Sequence, residues 1–259
     1  MAAINPLYSV AGLLVGLLVG LTGVGGGSLM TPLLVLLFNF HPSTAVGTDL
    51  LYASLTKSVG TVVHGARATV DWAIVRRLAT GSVPASLLTL LGLYWIGKPA
   101  PEVEIAMKSL LGMTLILTAI AILFQARIVS FVAKRWKRER GSNPVIATIA
   151  LGAILGALVS MTSVGAGAIG VTVLLILYPD LTTGRIVGSD IAHAVPLTLV
   201  AGLGHWAQGN VDPWLLVSLL IGSIPGIIIG SLVGSRASDR ILRPALAITL
   251  TAVGFTLVH

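Results

Sequence analysis

Residues 7–38 read LYSVAGLLVGLLVGLTGVGGGSLMTPLLVLLF and contain no Asp, Glu, Lys or Arg. About 20 apolar residues carry a helix through the ~30 Å hydrocarbon core of a bilayer. This stretch is too long for one span and too apolar for the surface of a soluble domain. Its middle, Thr22-Gly-Val-Gly-Gly-Gly-Ser28, concentrates the residue that weakens a helix interior more than any other except proline. The segment therefore reads as two short helices joined by an irregular turn inside a membrane. Residues 144–177, PVIATIALGAILGALVSMTSVGAGAIGVTVLLIL, repeat the pattern, with the break at Thr162-Ser-Val-Gly-Ala-Gly-Ala168.

The rest of the chain agrees with a membrane setting. Only 10% of its 259 residues are charged and 55% are hydrophobic, whereas soluble domains carry about 25% charged residues. Eight apolar segments are legible, at about 7–38, 43–66, 73–97, 103–124, 144–177, 185–207, 213–234 and 240–258, which predicts an all-α polytopic membrane protein. The net charge of +7 raises nucleic acid as a partner. However, Arg127, Lys134, Arg135, Lys137, Arg138 and Arg140 crowd into one inter-segment stretch, as a cytoplasmic loop does under the positive-inside rule. The expected partners are a lipid bilayer and a small solute, not nucleic acid; oligomeric state is left open. The absence of cysteine excludes disulfides, thiolate catalysis and thiolate metal sites. Five histidines without a His-x-x-x-His pair offer no metal constellation, and no cofactor is expected. Met1 to Pro6 carries no Lys or Arg, so no cleaved signal peptide is expected.

An internal repeat organises the chain. At an offset of 140, Gly12, Gly16, Thr22, Val24, Gly25 and Gly27 meet Gly152, Gly156, Thr162, Val164, Gly165 and Gly167. At 141, Val46-Gly-Thr-Asp49 meets Val187-Gly-Ser-Asp190, His64 meets His205, Val70-Asp71 meets Val211-Asp212, and Gly81-Ser-Val-Pro84 meets Gly222-Ser-Ile-Pro225. This divides the chain into a first repeat at 1–125, a basic linker at 126–143 and a second repeat at 144–259. Equivalent loops differ in charge: Arg67, Arg76 and Arg77 follow segment two, whereas residues 207–213 hold no Lys or Arg and 234–243 holds Arg236, Arg240 and Arg243. Equivalent loops on opposite sides mean inverted halves, each with an odd number of crossings. Four segments per half satisfy this if segments one and five are re-entrant hairpins turning at their glycines, the broken-helix plan of secondary transporters. Eight full spans with parallel repeats is the alternative.

The glycine clusters are not nucleotide loops, since no Gly-Lys-Ser/Thr follows and no strand precedes. Non-helical backbone at bilayer depth survives only where protein or a water-filled cavity surrounds it. Exposed backbone N–H groups and half-helix dipoles there suit an anion. The candidate binding groups are Thr22, Gly23, Gly25, Gly26, Gly27, Ser28, Thr162, Ser163, Gly165 and Gly167, with Lys57 as a cation; close helix packing is the competing reading of the glycines. Asp49 and Asp190 either cap their helices or carry a coupling proton. His193, one turn beyond Asp190, is placed to pair with it. Lys57, deep in segment two, either snorkels or faces the pathway. His64 and His205 are further proton-relay candidates, set against interfacial hydrogen bonding. Asp71 and Asp212, each near a Trp, read as helix caps with interfacial anchors.

In Thr22-Gly-Val-Gly-Gly-Gly-Ser28 followed by Pro32, Val46-Gly-Thr-Asp49, His64, Val70-Asp-Trp72, the weaker second copy at Thr162 to Gly167, and the pairs Gly81-x-x-Pro84 and Gly222-x-x-Pro225, the chain resembles the TauE/SafE family of sulfite and sulfonate exporters. The resemblance runs from about residue 7 to 256. It implies transport of a sulfur-containing or other small organic anion across a prokaryotic cytoplasmic membrane. The second copy departs from the glycine pattern at Ala166 and Ala168, which argues against a symmetric pocket. The expectation is a secondary transporter that exports a small anion with proton coupling. A passive channel or a membrane subunit of a larger complex is the alternative. No nucleophile–base or metal set supports an enzyme.

Overall fold

The computed structural model describes residues 4–22, 27–66, 69–96, 101–135, 144–233 and 239–258, without side chains at 22, 27–28, 60, 62–66, 101, 133–135, 231–233 and 239–242. Ten helices and no strand occupy the described residues: α1 (Pro6–Thr22), α2 (Gly27–Leu36), α3 (Pro42–Ala66), α4 (Trp72–Ile96), α5 (Pro101–Arg135), α6 (Val145–Thr162), α7 (Ala168–Leu177), α8 (Thr183–Ala207), α9 (Pro213–Val233) and α10 (Asp239–Val258). Five of them contain stretches long and apolar enough to cross a membrane. Large side chains such as Trp95 and Ile146 stand fully out from the bundle, which suits a protein whose solvent is lipid. The helix of α5 continues through 126–135, so Arg127 lies on a helix rather than in a loop.

The long first and fifth apolar segments are each divided into two helices. α2 and α7 have 10 residues each, about 15 Å at 1.5 Å per residue, half a bilayer. The caps behave as Asp71 and Asp212 suggest: each Oδ1 accepts N–H bonds from the first turn of its helix, α4 and α9 respectively. Trp72 and Trp214 are exposed beside them.

Small residues decide which helices meet. Gly12 and Gly16 of α1 lie on the backbone of Leu219 and Ser223 in α9, while Gly222, Gly226 and Gly230 lie on the backbone of α1 from Ser9 to Gly20. Gly152 and Gly156 of α6 make the same contacts with Leu78 and Ser82 of α4. A Cβ at any of these glycines would strike backbone, so the helices approach as closely as backbones allow. Residue numbers rise together across both interfaces, so α1 is parallel to α9 and α6 to α4. Two cross-helix bonds are alike: Asp71 N–H donates to Ser189 Oγ at 2.8 Å, and Asp212 N–H to Thr48 Oγ1 at 3.1 Å. At the centre α3 and α8 cross each other. Gly47 meets His205 and Gly202 meets Leu51, so they run antiparallel.

Candidate functional site

The second break is built to turn inside the bundle. Thr162 closes α6 with its hydroxyl, donating to Leu158 O at 2.7 Å and accepting from Val164 N–H at 3.2 Å. Ser163 takes a left-handed φ of 58° while its N–H caps Val159 O. Gly165 and Gly167 follow at φ of 120° and 121°, a region that side chains rarely adopt, and α7 then begins. Thr162 is thereby committed to the turn itself. Ser163 Oγ is buried and has no hydrogen-bond partner. Of the first break, Gly23, Gly25 and Gly26 lie outside the described residues, as do the side chains of Thr22, Ser28 and His64; Gly27 is seen only as the first position of α2.

Asp49 and Asp190 are not helix caps. Each lies seven residues inside its helix, since α3 starts at Pro42 and α8 at Thr183, and both are buried. Asp49 Oδ2 accepts from the hydroxyl and the N–H of Thr31 in α2, and Ser163 stands beside the same carboxyl from the other half. Asp190 faces the Gly167 N–H, and its Oδ1 occupies the space that a Cβ on Gly170 would fill. Both carboxylates therefore sit at the N-terminal portions of the short helices α2 and α7, where the helix dipole favours negative charge. Lys57 is 6% exposed and lies within electrostatic reach of both carboxylates and of His193. It does not snorkel to an interface. Two acids and one base from α3 and α8 thus form a charged cluster inside an apolar bundle, where unpaired charge is costly.

His193 corrects one expectation. Its Nε2 bonds to Ser82 Oγ of α4 at 2.8 Å rather than to Asp190, because the three-residue step turns it toward α4. His205 is buried with Nε2 on the Ser160 carbonyl at 2.8 Å, an interhelical tie away from the charged cluster. Sequence reasoning did not single out Thr31, Ser82 or Ser223 as site residues; the last two stand in the duplicated Gly-Ser-x-Pro stretches, which was the available signal.

A cavity of about 540 Å³ opens at one end of the bundle, lined among others by Ser43, Tyr94, Met107, His205, Gln208 and Asn210. Beside it His41 Nδ1 meets Glu104 Oε2 at 3.0 Å. This end gathers the starts of α3 and α5 and the ends of α4 and α8, whereas Arg76, Arg77, Arg127, Arg185 and Arg243 belong to the opposite end.

The sulfite exporter TauE/SafE family matches residues 8–257. The chain is 39% identical to the probable membrane transporter protein YjnA of Bacillus subtilis (strain 168), covering 95% of this chain and 97% of that protein. It is 27% identical to the probable membrane transporter protein MJ0441 of Methanocaldococcus jannaschii, over 96% of this chain and 91% of that one. No solved structure matches. A helical bundle with lipid-suited faces, broken helices and a buried charge cluster, matched end to end by these relatives, makes the chain a membrane transporter rather than an enzyme, and it belongs to the TauE/SafE sulfite exporter family.

Proposed function

We propose that the chain is a secondary carrier that moves a small anion (sulfite, a sulfonate or a related organic anion) out across the cytoplasmic membrane, coupled to protons. The carrying observation is Lys57 within electrostatic reach of both Asp49 and Asp190, where α3 and α8 cross beside the helix breaks. A lone cation would be a static anion trap, and a lone acid a static cation trap. With two carboxylates on one cation, an incoming anion competes with the protein's own carboxylates for Lys57 and for the short-helix dipoles. Protonating a carboxylate removes the competitor, which links anion binding to proton binding.

Helix directions support inverted halves, 1–125 and 144–259, about the basic linker. α3 and α8 are repeat equivalents and run antiparallel. α9 proceeds alongside α3 in the same direction, from Asp212 at Thr48 to Ser223 at Tyr52, and α1 is parallel to α9. Helices α1 and α3 run the same way, which needs α2 to run back between them, so α1–α2 and α6–α7 act as re-entrant hairpins. On this reading the cavity opens away from the basic, cytoplasmic end.

Uptake of labelled sulfite and ethanesulfonate into proteoliposomes, with and without a pH gradient, tests the proposal. Saturable, gradient-driven flux is expected. Asp49→Asn and Asp190→Asn should lower it by roughly tenfold or more, as loss of a positioned proton carrier does. Flux that never saturates points instead to a channel, and no flux from folded protein points to a missing partner subunit.

A further inference from the structure

The two halves each place a side-chain pair beside the charged cluster, and the pairs differ. At the repeat offset of 141, Tyr52 of α3 corresponds to His193 of α8, and Ser223 of α9 to Ser82 of α4. His193 and Ser82 satisfy each other at 2.8 Å. Tyr52 and Ser223 face each other in the equivalent place, close enough to influence each other, but their buried hydroxyls do not close to a hydrogen bond, with each other or with any other group among the described residues. Two more buried atoms close by share that condition: Asp49 Oδ1, one turn before Tyr52, and Ser163 Oγ, which the left-handed turn holds beside the Asp49 carboxyl. Protein interiors leave very few polar atoms unpaired, and each one lowers stability. Four in one neighbourhood, next to Lys57, call for a common cause.

Their chemistry indicates what would satisfy them. Three are hydroxyls that can donate, and the fourth is a carboxyl oxygen that donates only when protonated. A set of O–H donors beside an ammonium suits an anion whose charge is shared over three oxygens. We propose that Tyr52, Ser223 and Ser163 form an oxyanion-binding cage in which a sulfonate- or sulfite-like headgroup binds together with a proton on Asp49. The proposal rests on the anion-carrier reading and assigns it two residues, Tyr52 and Ser223, outside the glycine turns.

Electrostatics makes the proton obligatory. An ionised Asp49 next to a bound oxyanion places two negative charges in a low-dielectric interior. A protonated Asp49 turns Oδ1 from a repelling acceptor into a fourth donor. The charged and titratable groups that face Asp49 among the described residues are Lys57 and Tyr52 of α3. Asp190 and His193 of α8 reach Lys57, while α2 and the 163–167 turn face Asp49 with the hydroxyls of Thr31 and Ser163. Asp190 and His193 act on the cage through Lys57, so Asp49 is the group whose protonation relieves the repulsion directly. The second half offers a different set: its Ser82 is spent on His193 Nε2, and the atoms left unpaired there are Asp190 Oδ1 and His193 Nδ1, a carboxyl oxygen and a ring nitrogen with no free hydroxyl beside them among the described residues.

Calorimetric titration of the whole protein in nanodiscs tests this, with ethanesulfonate as the main probe because it stays ionised across the working pH range, and sulfite as the second. Wild-type affinity should rise as pH falls. Tyr52→Phe and Ser223→Ala should each weaken binding by roughly tenfold or more, the effect of losing one hydrogen bond to a charged group. Their thermal melts should match or exceed wild type, since each change deletes an unpaired buried oxygen. Asp49→Asn should bind with an affinity that no longer follows pH. If both hydroxyl variants bind ethanesulfonate as wild type does, water fills the cage and the proposal is overturned while the carrier reading stands. If wild-type affinity is flat with pH, the co-bound proton is overturned. If wild type binds neither probe, the anion-carrier reading itself fails, and the cage with it.

Discussion

Lys57 is the residue on which the interior electrostatics depend. Its ammonium lies within electrostatic reach of two carboxylates, and removing one member of a buried ionic group costs on the order of 3–5 kcal/mol when the remaining charge has no counterion. Lys57→Met, close in length and fully apolar, isolates that loss from any change in packing. The variant is expected to melt below wild type in detergent, and the gap should widen as pH rises, because ionised Asp49 and Asp190 then lack a cation. A gap that narrows with rising pH would show that Lys57 does not neutralise them. The acids and the lysine were legible in the sequence, because a charge inside an apolar run is conspicuous at bilayer depth. Tyr52 and Ser223 were not legible as site residues. A mid-helix hydroxyl usually bonds the carbonyl one turn back, as Thr56 and Ser58 do here, so the residue type alone does not reveal an unpaired one.

At the scale of elements, breaks were easier to foresee than partners. A cluster of glycines in an apolar run interrupts a helix whatever surrounds it, and α6 duly ends at Thr162 and α7 begins at Ala168. The stripes Gly12-x-x-x-Gly16-x-x-x-Gly20 and Gly222-x-x-x-Gly226-x-x-x-Gly230 announce close packing but not with whom, because a small surface fits any other small surface. The structure pairs the two stripes with each other in α1 and α9. Gly222 has the least room, its missing Cβ lying against the Ser9 carbonyl. Gly222→Val should force the two helices apart at a cost of about 1–3 kcal/mol, as overpacking does, and lower the melting temperature in detergent. Gly92, with open space around it, should accept Val with little change. Equal effects at the two positions would mean that the α1–α9 contact does not hold the bundle together.

For the whole molecule, the decisive question is how the halves sit in the bilayer. Loop charges suggested inversion from a handful of arginines. The antiparallel crossing of the equivalent helices α3 and α8 supports it on independent grounds, because a two-fold axis relating antiparallel spanning helices lies in the membrane plane. Inversion also suits the proposed mechanism, since exchanging the conformations of two inverted halves turns an outward-open cavity into an inward-open one without new contacts. The chain contains no cysteine, so topology can be read from single introduced thiols. Asn39, between α2 and α3, and Asp180, between α7 and α8, are repeat equivalents at offset 141 and both exposed. With inverted halves, a membrane-impermeant maleimide added to intact cells should label Asn39→Cys and leave Asp180→Cys unlabelled until the membrane is permeabilised. The assignment of Asp180 to the shielded side follows from its place at the basic end with Arg76, Arg185 and Arg243. Labelling of both positions from the same side would establish parallel repeats, remove the hairpins that inversion requires, and leave the buried Asp49–Lys57–Asp190 cluster in need of a different route to the two sides of the membrane.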